Sequence, residues 1–232
     1  MLPEGARLSF DVPDGRLLFQ ENDLDVWAEH LTWCYRLLGV EDGTTIAVQD
    51  YGTSPLAFLG SSSLMPHLQS GVAERLRGRI VCLDAAPERV VLTPALADQV
   101  RIDVLVVRAE VLPLLREVDE RSGVRLLSRC PTLIVAVDGE ALQADCGRTP
   151  RYLLSIESGL LLAPECPRCR HFHLRHGFYR RAGDRVLNLR SASATPVHLR
   201  IAGGPQTGRC ALGPEDCCVR LPGFDREPNV QQ

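Results

Sequence analysis

The chain of 232 residues is long enough to bury one sizeable α/β core, alone or with a small appended subdomain. Its formal net charge of -3 provides neither the basic field that binds nucleic acid nor the polybasic patch that binds anionic membranes, so neither partner is expected. The first ten residues lack the apolar segment of a signal peptide, and no apolar run is long enough to span a bilayer. These features predict a cytoplasmic protein.

The basic residues are all arginine, 26 in number, and lysine is absent. A GC-rich genome explains this bias, because arginine codons replace lysine codons there. The consequence is still chemical, since phosphoryl and adenylyl transfer often use lysine as a mobile point charge. The chain also has no glycine-rich phosphate loop. We therefore do not expect it to use ATP by itself.

The first forty residues show a hairpin pattern followed by a helical one. Two short extended runs, 7–10 and 16–19, flank a Pro-Asp-Gly turn and predict a β-hairpin. Apolar residues at helical spacing then predict a helix over 24–38, which Gly39 ends.

Short β-branched runs then alternate with helical segments. Strands are predicted at 45–49, 79–83, 103–107, 124–127, 132–137 and 152–155. Helices are predicted from the turn at 52–55 to about residue 68, at 93–99 and at 109–121. This alternation is typical of α/β proteins with a mostly parallel sheet and crossover helices.

The composition changes after Gly159, where proline, glycine, cysteine and histidine dominate and residues 178–189 suggest a hairpin. The fold class is therefore α/β, followed by a small β-rich subdomain that contains cysteine and histidine. We expect an α/β domain over 1–159, the β-rich subdomain over 160–226 and a frayed tail over 227–232.

Five of the nine cysteines fall between Cys166 and Cys218. In a reducing compartment such clustering indicates a metal site more than a disulfide framework. Zinc takes four cysteine or histidine ligands in a tetrahedron, and structural sites combine two close pairs. Ordinary reduced cysteines are the alternative. The candidate ligands from this clustering are Cys166, Cys169, Cys210, Cys217 and Cys218.

Three stretches follow the motif order of a known enzyme group. Residues 23–43 contain a tryptophan-bearing helix and a Gly-Val entry into a strand, and residues 92–107 place Thr-Pro before another strand. The third is the series Glu157-Ser-Gly, Glu165-Cys166, His173 and 196–200. In this order the chain resembles the phenylacetate-CoA ligase branch of the adenylate-forming (AMP-binding) enzymes, over most of residues 20–226.

The resemblance implies ligands as well as a fold. It implies ATP or AMP with magnesium near Ser155 and Glu157, and places Arg200 near the ribose or phosphate. It also implies a structural zinc held by Cys166, His173, Cys210 and Cys217, for which Cys169 or Cys218 is a possible substitute.

Four departures from the family pattern indicate that adenylation is lost. Asp11–Arg16 replaces the phosphate loop, and the Tyr-Gly-x-Thr-Glu motif reads Tyr152-Leu-Leu-Ser-Ile-Glu157. The ribose aspartate after Arg200 is missing, and so is the lid domain with its adenylating lysine. Together they remove phosphate binding, ribose binding and stabilisation of charge in the transition state.

We therefore expect a zinc-stabilised accessory or binding protein without catalytic residues. Its partner would be a ligase, a carrier protein or another enzyme of a small-molecule pathway. A minimal acyl- or aryl-acid adenylating enzyme, completed by a partner chain, is the alternative, and a zinc-dependent hydrolase is the third possibility.

Overall fold

The structure, a computed structural model, describes residues 6, 8–12, 15–60, 71–138, 149–167, 171–191, 193–199, 218–219 and 221. In chain order the elements are β1 (Leu8–Val12), β2 (Gly15–Phe19), α1 (Glu21–Leu37), β3 (Thr45–Asp50), α2 (Pro55–Gly60), α3 (Val72–Arg75), β4 (Arg79–Asp84), α4 (Pro87–Val90), α5 (Thr93–Gln99), β5 (Val104–Arg108), α6 (Leu112–Ser122), α7 (Leu126–Arg129), β6 (Thr132–Val137), β7 (Arg151–Ile156), β8 (Leu161–Pro164), β9 (Phe172–His173), β10 (Tyr179–Ala182), β11 (Arg185–Asn188), β12 (Val197–His198) and β13 (Cys218–Val219).

A six-stranded sheet in the order β4-β3-β5-β6-β7-β8 carries the core. Its first five strands run parallel, and β8 pairs antiparallel with β7. The central strands β5 and β6 are buried almost throughout, as expected for parallel strands covered on both faces. Smaller antiparallel sheets are formed by β10-β11-β12 and by β13-β9. The predicted α/β class, with its small β-rich part, is confirmed.

Helix α1 buries one continuous side against this sheet. The Asp23 carboxylate accepts the backbone N–H of Gln20 at 2.8 Å, which satisfies a free donor at the start of the helix. Trp27, Leu31 and Tyr35 recur at helical spacing and are all fully buried. Gly39 takes a left-handed conformation (φ 75°) and donates to the Arg36 carbonyl, so it ends the helix as predicted.

The strand predicted at 124–127 is wrong. Residues Leu126–Arg129 form the short helix α7, because Arg125 adopts a left-handed conformation (φ 60°) that breaks an extended run. The buried Asp119 carboxylate accepts the N–H groups of Leu126 at 2.6 Å and Leu127 at 2.9 Å. This cap comes from the preceding helix, so the local apolar pattern did not show it.

The two predicted hairpins are confirmed as β1–β2 and β10–β11. The predicted helix at 109–121 is observed as Leu112–Ser122, and the part of the 52–68 helix that the structure describes is α2. The domain division stays a prediction, although the central sheet continues past Gly159 to Pro164. In the part of the chain that the structure covers, no helix is both long and apolar enough to cross a membrane.

Candidate functional site

The carboxyl edge of the parallel sheet gathers three charged residues from separate strands. Asp50 ends β3, Arg108 ends β5 and Glu157 directly follows β7. Strand β3 lies between β4 and β5. The chain therefore continues from β3 to β4 on one side and then crosses over to β5 on the other side, so the order of the strands reverses between β3 and β5. In open α/β sheets, ligands bind in the crevice at such a switch point, which makes this edge the candidate site.

The Arg108 guanidinium is held by three carboxylates. Its Nη1 lies 2.5 Å from Glu157 Oε1 and 3.5 Å from Asp50 Oδ1, and its Nε lies 2.5 Å from Glu110 Oε1. Burial of the side chain, which is 18% exposed, lowers the pKa of Arg108, but the three carboxylates outweigh this effect and raise it overall. Arg108 is therefore a permanent cation at the edge.

Asp50 is the most deeply buried member of this group, with a side chain only 1% exposed. It accepts the Ser54 hydroxyl at 2.5 Å and the Tyr51 N–H at 2.7 Å. Burial raises the pKa of Asp50 to about 6, although the bonds from Ser54 and Tyr51 and the charge of Arg108 act in the opposite direction. Asp50 therefore titrates near neutral pH.

The local charge balance limits what this edge can bind. When Asp50, Glu110 and Glu157 are ionised, they exceed the single charge of Arg108, so these four groups carry a net negative charge. A negative field opposes the approach of a polyanion. The Glu157 carboxylate, moreover, already has a cation in direct contact.

The predicted nucleotide-binding residues are brought together only in part. Glu157 lies in the edge cluster, whereas Ser155 is a buried residue within β7, opposite Leu162 of β8. Arg200 lies outside the described residues. The sequence interpretation missed Asp50 and Arg108. The available signal was the charged residue immediately after each of the predicted apolar strands 45–49 and 103–107.

The backbone register places two predicted zinc ligands on neighbouring strands. Cys166 and His173 are both buried, and the Cys166 N–H donates to the His171 carbonyl at 2.7 Å. His173 of β9 is the cross-strand partner of Cys218 of β13. Within the described ranges, there is no group of three or more histidine, cysteine, aspartate or glutamate side chains that could hold a metal ion. The other candidate ligands Cys169, Cys210 and Cys217 lie outside the described residues.

A buried histidine and cysteine on α1 have a different character. His30 Nε2 lies 2.9 Å from the Leu162 carbonyl oxygen and 3.2 Å from the Tyr179 hydroxyl, and the His30 ring stacks on Phe178 at 4.3 Å. Burial lowers the pKa of His30 to about 3 and raises that of Cys34, whose Sγ lies 3.9 Å from Nε2. Neither group is suited to nucleophilic chemistry, and the cluster connects α1 to the C-terminal hairpin.

Among the comparisons with known proteins, the one with solved structures supports the fold. No protein-family model and no curated protein matches the sequence. Among solved structures, a 2-hydroxyisobutyryl-CoA ligase in an open conformation, in complex with 2-HIB-AMP and CoA, has a TM-score of 0.65 at 12% identity, over 85% of this chain and 52% of that chain. The same ligase in the thioesterification state has a TM-score of 0.61 at 13% identity, over 85% of this chain and 47% of that chain. This chain therefore shares the fold of these ligases and spans about half of their length.

Proposed function

We propose that this chain is a ligase-fold protein that does not adenylate an acid by itself and acts as an accessory or binding protein in small-molecule metabolism. The observation that carries the proposal is the contact between Arg108 and Glu157 at the carboxyl edge of the sheet. By its resemblance to the phenylacetate-CoA ligases, Glu157 stands where those enzymes bind magnesium.

The energetics of this contact support the proposal. A magnesium ion at Glu157 would have to displace a guanidinium that Asp50 and Glu110 also hold. Removing that cation would leave the buried Asp50 carboxylate unpaired, which is costly in a low-dielectric environment. Without magnesium, the net negative charge of the edge opposes the phosphates of ATP.

The N-terminal hairpin supports the same conclusion. It lies where the resemblance places the phosphate loop. Here β1 and β2 pair up to Val12 opposite Gly15, and Arg16 Nε donates to the Asp11 carboxylate at 2.8 Å. A carboxylate beside a strand pair does not offer the row of free backbone N–H groups that binds phosphate.

The direct test is ATP–pyrophosphate exchange with the purified chain, magnesium and a panel of aryl and acyl acids. An active acid–CoA ligase serves as the positive control. We expect no exchange above the no-enzyme background. Exchange by the chain alone with any acid would refute the proposal.

We propose zinc as a structural cofactor, held by Cys166 and His173 with two of the downstream cysteines. The donor types fit, since buried thiolate and imidazole are the usual ligands of structural zinc. Strands β9 and β13 have two residues each, and a metal would fix so short a pairing. The backbone register opposite His173 favours Cys218 as one of the downstream ligands.

The alternative is a minimal acyl- or aryl-acid ligase that a partner chain completes. Two observations favour it: the contact with Arg108 brings Glu157 close to the switch point of the sheet, and the chain spans about half of the ligases that share its fold. In that case the isolated chain would still bind ATP or AMP with magnesium, whereas the accessory protein would not. Equilibrium binding therefore distinguishes the two.

A further inference from the structure

The small sheet β10-β11-β12 has one face toward the core and one toward solvent. Tyr179, Val186 and Val197 are buried on the inner face. Side chains alternate along a strand and antiparallel partners share a face, so the register also defines the outer side. Its five positions, which we call the β10–β12 face, are Arg180, Ala182, Arg185, Leu187 and His198.

The β10–β12 face carries two arginines that lack a counterion among the described residues. Both Arg180 and Arg185 are exposed, and neither guanidinium forms an ion pair or a hydrogen bond within that part of the chain. Residues 171–199 contain five arginines and a single acidic residue, Asp184, although the whole chain has a net charge of -3. Positive charge is therefore concentrated in this part of the surface, where it attracts negatively charged groups.

The two arginines are placed so that both can bind one anionic group. They are diagonal neighbours on adjacent strands, because Ala182 lies directly opposite Arg185 and two positions from Arg180. Diagonal positions are about 7–8 Å apart, a distance that long side chains can span. Since Ala182 has only a methyl group, a carboxylate above it can accept hydrogen bonds from both guanidinium groups. The Asp184 carboxylate lies instead at the turn and approaches His198 Nδ1 at 3.5 Å.

Apolar side chains border the two arginines. Leu187 lies opposite Arg180 on the β10–β12 face and is half-buried. Leu189, two residues further along the chain, is 51% exposed, which is unusual for a large aliphatic side chain in this structure. A ligand that fits the face therefore has aliphatic groups close to its negative charges.

This combination favours a peptide segment over other anions. Inorganic phosphate has no apolar group for Leu187 and Leu189 to contact. None of the five side chains of the β10–β12 face is aromatic, so the face offers no stacking platform for the bases of a nucleic acid, and the negative net charge of the chain opposes a long polyanion. Three strands span about 10 Å, which is the width of one helix or one extended segment.

We propose that the β10–β12 face binds an acidic, amphipathic segment of a protein partner. A glutamate or aspartate of the segment accepts from Arg180 and Arg185, and an aliphatic side chain next to it packs on Leu187 and Leu189. Because the contact is small and its charges are exposed, binding is weak, in the micromolar range, and sensitive to salt. The inference rests on the proposed binding role of the chain, but not on the loss of adenylation, which ATP–pyrophosphate exchange measures separately.

Fluorescence anisotropy of a labelled synthetic peptide with the full chain tests this proposal. The probe is a short peptide of repeated Glu-Glu-Leu units, compared with one of Gln-Gln-Leu units and one of Glu-Glu-Ser units. We expect saturable binding of the first peptide at low salt, weaker binding of the third, and none of the second. Raising the salt to physiological ionic strength and above should weaken binding progressively.

Charge reversal on the face locates the binding. The double variant Arg180→Glu, Arg185→Glu should weaken binding of the Glu-Glu-Leu peptide by about tenfold or more. The matched control is Arg79→Glu, Arg89→Glu, which makes the same change of charge at two exposed arginines that also lack an ion pair among the described residues. It should change the affinity less than about twofold. Circular dichroism verifies that each variant is folded.

Several results would overturn the proposal. They are no binding of the Glu-Glu-Leu peptide, equal binding of the Gln-Gln-Leu peptide, and equal losses in the two double variants. Displacement of the peptide by inorganic phosphate at low millimolar concentration would show a site for small anions instead. Tighter binding of a short DNA duplex than of the peptide, lost in the Arg180→Glu, Arg185→Glu variant, would show a nucleic-acid surface.

Discussion

The side chains of Arg108 and Glu157, which are 49 residues apart in the chain, meet at a distance of 2.5 Å at the carboxyl edge of the sheet. Glu157 is the carboxylate that the family resemblance assigns to magnesium. Here the chain supplies a cation of its own, anchored by Asp50 and Glu110 as well. The proposal that this chain does not bind a nucleotide therefore rests on a specific arrangement of charges.

Replacing Arg108 with an uncharged residue should destabilise the fold in a pH-dependent way. Arg108→Met leaves the buried Asp50 carboxylate unpaired, and we expect a loss of about 2–4 kcal/mol in the free energy of unfolding. The loss should be smaller at pH 5 than at pH 8, because protonated Asp50, whose pKa is already raised to about 6, tolerates burial better. Urea unfolding at both pH values measures this.

Arg116→Met is the matched control for that experiment. Arg116 pairs with Glu120 on the exposed side of α6, and removing such a surface pair costs less than about 1 kcal/mol. Equal and pH-independent losses in the two variants would show that the Arg108 cluster is an ordinary surface feature.

The buried His30 should make the protein sensitive to acid. Its pKa is about 3 in the folded state against 6.5 in the unfolded chain, so the unfolded chain binds more protons between these values. Stability from this group is therefore fully present above pH 6.5 and falls toward pH 3, at up to about 1.4 kcal/mol per pH unit. Arg175, Cys34 and Tyr179 face the ring and offer no carboxylate to compensate.

His30→Phe should flatten this pH profile, because phenylalanine does not titrate and still stacks on Phe178. His198→Asn is the control, since His198 is exposed and its Nδ1 only approaches Asp184 at 3.5 Å. Unfolding free energies measured from pH 7 to pH 4 provide the comparison. Parallel profiles for wild type and His30→Phe would contradict the expectation.

The cap of α7 can be tested at Asp119. Asp119→Ala removes the acceptor of two buried N–H groups, those of Leu126 and Leu127, and should cost about 2–3 kcal/mol of stability. Asp119→Asn keeps one acceptor oxygen and should cost less. Asp42→Ala, which removes an exposed partner of Arg36, should change little. Similar losses for Asp119→Ala and Asp42→Ala would exclude a capping role.

Zinc binding can be measured directly by elemental analysis of the purified protein. We expect about one zinc per chain, lowered by Cys166→Ser and by Cys218→Ser. Cys217→Ser should have less effect, because Cys218 is the register partner of His173. Cys82→Ser, on the distant strand β4, is the control. Zinc-free protein, or a zinc content that Cys166→Ser does not change, would contradict the proposal.

Periodicity in the sequence predicted most of the central sheet because each buried parallel strand is a short apolar run, as in β3, β5 and β6. It failed at α7, where the cap comes from Asp119 on another helix. It also missed the Arg108 cluster. The strand order decides which strand ends lie close together, so the contacts between Asp50, Arg108 and Glu157 are a property of topology and not of local sequence.

The central claim is that this ligase fold has no working nucleotide site of its own. Isothermal titration calorimetry of the isolated chain with ATP and with AMP, each with and without magnesium, tests it most directly. We predict no heat of binding up to millimolar nucleotide, under conditions in which an active acid–CoA ligase gives a clear isotherm. Saturable, magnesium-dependent binding of ATP by the wild-type chain, abolished by Glu157→Gln, would contradict the account.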